Sequence, residues 1–419
     1  MLESEKFIAA HRADPTAFTR RRIFTFAIVV SCIAQGFLKG LQSELDDFFG
    51  RLAGNAEFVR RASKSAFSQA RYKLRHTVFL ALNDLLVTKW KSSVAAPRWH
   101  GLRLLAGDAS TLRLPNFPDI VEEFGTHRGR WGSRVPLAVI FGLYDVASSL
   151  VIRAAIEPAA TRERAMLAGV LDHVRSDDLL LLDRGFPAHW LCAWLIQNGL
   201  NFCMRVDSLR ISQFVRFAHD TGLRDEIITV KVPGPAKRKA ARAGYELLSS
   251  EFRVRLIRVD LPGNKQEILA TTLLDKRSFP AAEFAALYNQ RWRIEEWFKF
   301  LKCRLAVEHF SGDYPEAIRQ DFHAKVLASN ITSSLAYFAN QRANELSRKP
   351  VVVNLTYALS ATRAVLPQLL AKKRALVRNV ERLIQLMAAV VEKIRPGRHF
   401  DRPRQAVKPT RHRAYKATR

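Results

Sequence analysis

The sequence predicts an α/β protein: a layered core of strands and helices, an inserted β subdomain, a helical N-terminal domain and a helical C-terminal region. Three patterns support this. Apolar residues recur at helical spacing through residues 1–95. From residue 102, short apolar runs alternate with helical segments. A second group of β-like runs interrupts that alternation over 210–277, before helical spacing resumes at Phe279.

In order along the chain, Phe26–Phe37, Leu41–Leu52 and Val78–Val87 read as amphipathic helices. Between the last two, Ser63 or Ser65 can cap a further helix. That helix would project Ser68, Arg71, Lys73 and Arg75 beside Phe67 and Leu74, as a helix-turn-helix contact with DNA does. Composition changes at Ala95-Ala-Pro-Arg98. Leu102–Leu105 is a short strand running into Gly107-Asp108, and Val135–Tyr144 with Ser149–Ile156 form a hairpin. Thr161 starts a helix reaching Arg175. Leu179–Leu182 is a bare apolar run, the mark of a strand covered on both faces, and it ends at Asp183-Arg-Gly. A helix over Ala188–Asn198 and a strand over Asn201–Val206 follow. Strand, hairpin, helix, strand, helix, strand is the order of a ribonuclease-H-like core. The insertion carries runs at Ile227–Val232, Phe252–Asp260 and Glu267–Leu274, with Lys237–Arg242 as a basic loop. Helices then run to about Ile394, and Arg398–Arg419 is a basic arm with eight Lys or Arg against the single acid Asp401. These shifts divide the chain at 1–95, 96–209, 210–277, 278–347, 348–395 and 396–419.

Charge narrows the partners. Lys and Arg number 67 against 39 acids, a net charge of +28, which calls for a polyanion: nucleic acid, an anionic membrane or an acidic protein. Arg20–Arg22 before the apolar stretch Ile23–Leu38 imitates a targeting signal. The stretch is broken by Thr25, Ser31 and Gln35 and falls short of the ~20 apolar residues a bilayer needs, so it reads as a buried helix and no membrane is implied. Cys32, Cys192, Cys203 and Cys303 show no C-x-x-C spacing; four buried thiols in a reducing cytoplasm are expected.

The chemistry concentrates in Tyr288–Lys302. At ~100° per residue, Tyr288, Arg291, Glu295 and Lys302 fall at about 0°, 300°, 340° and 320°, one stripe of a helix. Ile294, Trp297, Phe298 and Leu301 fall mostly on another arc, an apolar seam. Taken alone, the stripe also fits i,i+4 charge pairing on a solvated face. Asp108 and Asp183, each after an apolar strand, add two carboxylates where α/β sheets bind ligands. In so basic a protein, three carboxylates facing DNA need divalent cations between them, and Mg²⁺ prefers such hard oxygen donors. Trp292 reads as core packing with base stacking as the alternative, and His127 as part of a basic loop over Thr126–Arg130.

Positions 288, 291, 295 and 302 satisfy Tyr-x2-Arg-x3-Glu-x6-Lys, a pattern that resembles the signature of the Asp-Asp-Glu transposases of the fourth bacterial insertion-sequence family. Gly107-Asp108-Ala-Ser-Thr111 and Leu182-Asp183-Arg-Gly-Phe186 are similar to the family's two aspartate segments; Ser65–Arg71 and Arg402–Pro409 resemble its flanks. The resemblance implies a ribonuclease-H-like core with a β insertion before the glutamate helix. It further implies that Asp108, Asp183 and Glu295 are catalytic and hold two Mg²⁺ ions, with Mn²⁺ able to substitute. Tyr288, Arg291, Lys302 and Arg184 would bind phosphates. It also implies cut-and-paste transposition on double-stranded DNA, with terminal inverted repeats and target DNA as partners, a homodimer on DNA and a bacterial, nucleoid-associated location. Two other readings stay open: a terminal-repeat-binding protein that does not cut, and a structure-selective nuclease of the same fold.

Overall fold

The computed structural model describes residues 1–20, 22–54, 57–128, 134–206, 211–261, 265–371 and 376–394. The expected basic tail from 396, and the Gly129 and Arg130 end of the basic loop, lie outside these residues.

Nine strands of one sheet organise the described residues: β1 Arg103–Arg113, β2 Thr126–Arg128, β3 Arg134–Asp145, β4 Leu150–Pro158, β5 Asp178–Leu182, β6 Asn201–Val206, β7 Asp225–Lys231, β8 Glu251–Leu261 and β9 Lys265–Thr271. β4 pairs with β3, and the spatial order continues β3-β1-β5-β6. β3 runs antiparallel to β1, while β1, β5 and β6 run parallel. A hairpin followed by two parallel strands crossing to the far side of the first is the expected ribonuclease-H-like arrangement. β5 is fully covered, with Leu179–Leu182 at zero exposure, which explains its unalternated apolar run.

The inserted β subdomain is continuous with the core sheet. β9 pairs antiparallel with β6, so β9, β8 and β7 extend the core sheet at that edge. Lys237–Arg242, expected as a loop, lies in the helix Gly234–Arg242. Pro235 in its first turn presets helical φ, and alanines among the basic residues favour continuation. Tyr245 then stacks on Trp190 at 5.2 Å, fastening the insertion to the core helix His189–Gln197.

Other expectations need correction. β1 is longer than Leu102–Leu105, so Asp108 sits within a strand. The segment after Thr161 forms only the helix Glu163–Ala168 and a 3-10 turn, with no side-chain cap. The stripe helix is not continuous: Phe284–Asn289 and Trp292–Lys299 are α-helical, and Phe300–Arg304 widens into a π-helix. Two short strands, Val351–Val353 and Val391–Lys393, pair among the C-terminal helices. Cys303 is exposed, while the other three cysteines are buried.

The N-terminal helices fall close to prediction. Ser63 caps Lys64–Arg71 by accepting the Ala66 amide at 3.2 Å. The apolar stretch forms the buried helix Phe26–Gln35, and no described helix is long and apolar enough to cross a membrane. This domain shares its core with Ala324 and Leu327 of the long helix Pro315–Leu346, which also backs the sheet.

Candidate catalytic site

The strand register sets up the site. β1 stops pairing with β5 at Gly107 and Leu182, and β5 stops pairing with β6 at Leu182 and Met204. One step further along, Asp108, Asp183 and Arg205 form a row across three neighbouring strands. Parallel in-register neighbours project to one face, so the three side chains share a side of the sheet. Gly107 precedes the first aspartate because a side chain there has no room: a Cβ would lie 2.8 Å from Leu182 Cδ2 and 3.1 Å from the Phe141 ring.

The glutamate helix Trp292–Lys299 lies over β3, the strand beside β1. Gly142 is the register partner of Asp108, and a Cβ on it would meet the Trp297 ring at 2.6 Å. That missing side chain lets the helix approach. Ile294, Trp297, Phe298 and Leu301 are buried against Ile140, Tyr144, Phe322 and Val326, so the predicted apolar seam anchors the helix. Burial of such side chains contributes about 1.5–3 kcal/mol each. The seam thereby holds Glu295 toward the two aspartates.

Arg291 joins the carboxylates. Its Nη2 donates to Glu295 Oε1 at 2.9 Å and its Nη1 contacts Asp108 Oδ2 at 3.5 Å. Asp183 pairs instead with Arg205 Nη2 at 2.9 Å and accepts the Arg184 backbone amide at 2.7 Å. The three carboxylates are partly open, with side-chain exposures of 20% for Asp108, 31% for Asp183 and 28% for Glu295. Burial pushes the Asp108 carboxyl up to about 6, and Asp183 and Glu295 push in the same direction; the Ala109 amide and Arg291 oppose this. Adding a cation would reverse that cost.

This donor set suits a hard divalent ion, which commonly takes one or two carboxylates with substrate phosphate completing its shell. Among the described residues, no three His, Cys, Asp or Glu side chains already stand grouped round one ion position. The Asp108 and Glu295 oxygens are instead drawn to the Arg291 guanidinium, a cation already among them.

The remaining expected residues divide. Lys302 Nζ donates to Ser110 Oγ at 2.7 Å, two residues beyond Asp108, and Arg184 is exposed beside Asp183. Tyr288 and Arg291, expected at phosphates, are buried. The Tyr288 hydroxyl donates to the Leu182 carbonyl at 3.1 Å, propping the strand end before Asp183. Burial holds its phenol protonated well above the usual range. The break in the helix after Asn289 changed the phase from which an open stripe was expected. Trp292, expected in the core, is 39% exposed, with the Arg291 guanidinium carbon 5.4 Å from its ring centre. His127 is exposed on β2. Sequence reasoning missed Arg205; its signal was one charged residue in the otherwise apolar run Phe202-Cys-Met-Arg205-Val206.

Residues 99–331 match the family model described as a transposase DDE domain, a span that contains all three carboxylates. The transposase InsG for insertion sequence element IS4 of Escherichia coli (strain K12) is 25% identical over 325 residues, covering 75% of this chain and 71% of that protein. The putative transposase y4zB of Sinorhizobium fredii (strain NBRC 101917 / NGR234) is 38% identical over 58 residues, 14% of this chain and 16% of its own length. A cryo-EM structure of the piggyBac transposase synaptic complex with hairpin DNA aligns at TM-score 0.44 and 11% identity, over 90% of this chain and 79% of that one. The fold assignment above rests on the strand order.

Proposed function

This chain belongs to the family of transposases with a DDE domain, and from that premise we propose that Asp108, Asp183 and Glu295 are its three catalytic carboxylates. Members are enzymes of DNA transposition that cut and join strands, and they generally act with divalent metal ions. The observation that supports the assignment is the placement of three residues, far apart in sequence, on one face of the sheet where β5 ends: Arg291 joins Asp108 to Glu295, and Asp183 stands on the neighbouring strand end beside Asp108.

Two Mg²⁺ ions, or Mn²⁺ in their place, would supply charge neutralisation and activation of the attacking oxygen in an in-line phosphoryl transfer. Asp108, Asp183 and Glu295 would hold them. The chain's other residues then position and neutralise. Lys302, held near Asp108 through Ser110, and exposed Arg184 contact backbone phosphates. Arg291 spaces Asp108 from Glu295, and Tyr288 steadies the strand end that carries Asp183. The proposed sequence is cleavage at terminal inverted repeats followed by attack of the freed 3′ hydroxyl on target DNA. Two copies act together on paired ends, in the bacterial cytoplasm at the nucleoid. The helical N-terminal domain is assigned to end binding, through exposed Lys73 and Arg75.

The test uses a duplex carrying the element's end, with the full chain and Mg²⁺. Nicking and strand transfer are expected, both lost in Asp108→Ala while binding persists. Binding without any cleavage by the unmodified chain would identify a repeat-binding protein; cleavage without joining would identify a nuclease.

A further inference from the structure

Arg205 faces two acids. Its Nη2 lies 2.9 Å from Asp183 Oδ1, and its Nη1 donates to Glu267 Oε1 at 2.7 Å. Its Nε is buried with no hydrogen-bond partner among the described residues. Glu267 comes from β9, the insertion strand that pairs with β6; Arg205 is opposite Leu269, and Glu267 is two residues along on the same face. The insertion therefore reaches the catalytic row through the Glu267 side chain. A guanidinium against Asp183 opposes any divalent ion there twice, by like charge and by occupying a carboxylate oxygen. Without a second acid, turning Asp183 toward a metal would strand Arg205 with that Nε already unpaired.

We propose that Glu267 is a positioning residue for metal binding: it retains the Arg205 guanidinium when Asp183 turns to the ion. The insertion thus tunes the catalytic centre as well as widening the sheet. This inference rests on the reading of Asp183 as a metal ligand. It requires contact, because the 2.7 Å hydrogen bond holds the guanidinium, whereas a diffuse negative field would not.

The experiment measures Mn²⁺ binding to the full chain without DNA, by titration with electron paramagnetic resonance of free Mn²⁺, with thermal midpoints recorded alongside. Glu267→Asp keeps the charge but withdraws the carboxylate by one methylene. It is expected to weaken Mn²⁺ binding about three- to ten-fold, as Glu267→Gln does, with the thermal midpoint little changed. In an Arg205→Gln background the same Glu267→Asp change is expected to have no effect. An unchanged affinity in Glu267→Asp, or a loss that persists without Arg205, overturns the proposal. Asp183→Asn serves as the separate control. Its expected loss of Mn²⁺ binding upholds the underlying assignment, and undiminished binding there overturns that assignment and the role of Glu267 with it.

Discussion

Two carboxylate–guanidinium clusters in this protein use the same residue types to opposite ends. In the first, Arg71 of the N-terminal domain enters the long helix Pro315–Leu346. Its Nε donates to Gln320 Oε1 at 2.7 Å, its Nη1 to Ser311 Oγ at 2.6 Å, and its Nη2 to Asp321 Oδ1 at 2.8 Å and the Ala317 carbonyl at 2.9 Å. Both Arg71 and Asp321 side chains are 3% exposed. In the second, Arg291 is as buried, but its Nε has no partner among the described residues and its carboxylates Asp108 and Glu295 stay partly open to solvent. A closed, fully hydrogen-bonded cluster fixes two domains in one geometry. A cluster with spare acceptor capacity, partly open to solvent, can still take a cation and a substrate.

The contrast predicts opposite phenotypes, and the largest is catalytic. Glu295→Gln should lower strand cleavage by at least ~10³-fold, because several kcal/mol of transition-state charge stabilisation are lost at ~1.4 kcal/mol per factor of ten. Denaturation midpoints and DNA binding should hardly move. Equal losses of binding and cleavage would place Glu295 in the first class of cluster. Arg71→Ala should do the reverse, destabilising the fold by about 3–5 kcal/mol in chemical denaturation, since Asp321 would be left buried without its partner. A stable Arg71→Ala protein with impaired DNA binding would break the comparison.

A third test uses pH near the closed cluster. His323 is buried on the same long helix, its ring 5.5 Å from that of His76, which hydrogen-bonds Glu316. Burial, with His76, Arg153 and Arg319 adding, depresses the His323 pKa well below its ordinary 6.5. Its neutral form is therefore the folded one. Stability is full above the unfolded value and declines as pH falls from about 6.5 toward the depressed folded value, because the unfolded chain takes up a proton that the folded chain refuses. The slope from this group approaches ~1.4 kcal/mol per pH unit. In His323→Gln that contribution to the acid slope should disappear; an identical slope in the variant would exclude His323 as its source.

The smallest effect separates open from buried cations at the site. Lys302→Ala should flatten the salt dependence of DNA affinity by about 0.9 per phosphate contact removed, and Arg184→Ala likewise. Arg291→Ala should leave that slope unchanged, because its guanidinium is committed to carboxylates. A flattened slope in Arg291→Ala would return it to the phosphate-binding role read from the sequence.

The comparison also explains what could be read from the chain. Arg71 follows Ser63 at the end of a capped helix, among Ser68, Lys73 and Arg75, and reads as a DNA-facing group. Its partners lie some 240–250 residues away, on the long helix Pro315–Leu346 and just before it, so nothing local distinguishes it from exposed Arg75. The burial of Tyr288 is hidden for a related reason: its acceptor, the Leu182 carbonyl, is 106 residues distant. Extrapolating one helical phase across 288–302 could not foresee the break at Gln290 and Arg291 or the π-helical turn at Lys302.

By itself the sequence determined the elements and the chemistry they carry: the bare run Leu179–Leu182 ending at Asp183, the side-chain-free Gly107 before Asp108, and the seam of Ile294, Trp297, Phe298 and Leu301 behind Glu295. Periodicity, chain-breaking residues and charge are local properties, legible over a few positions. Only the tertiary structure decided which charges were buried and which stayed open: Arg71 closed against Asp321, Arg291 held between Asp108 and Glu295, and Arg205 and Glu267 brought beside Asp183. Strand register and long-range packing make those choices, and both depend on partners that no sequence window contains.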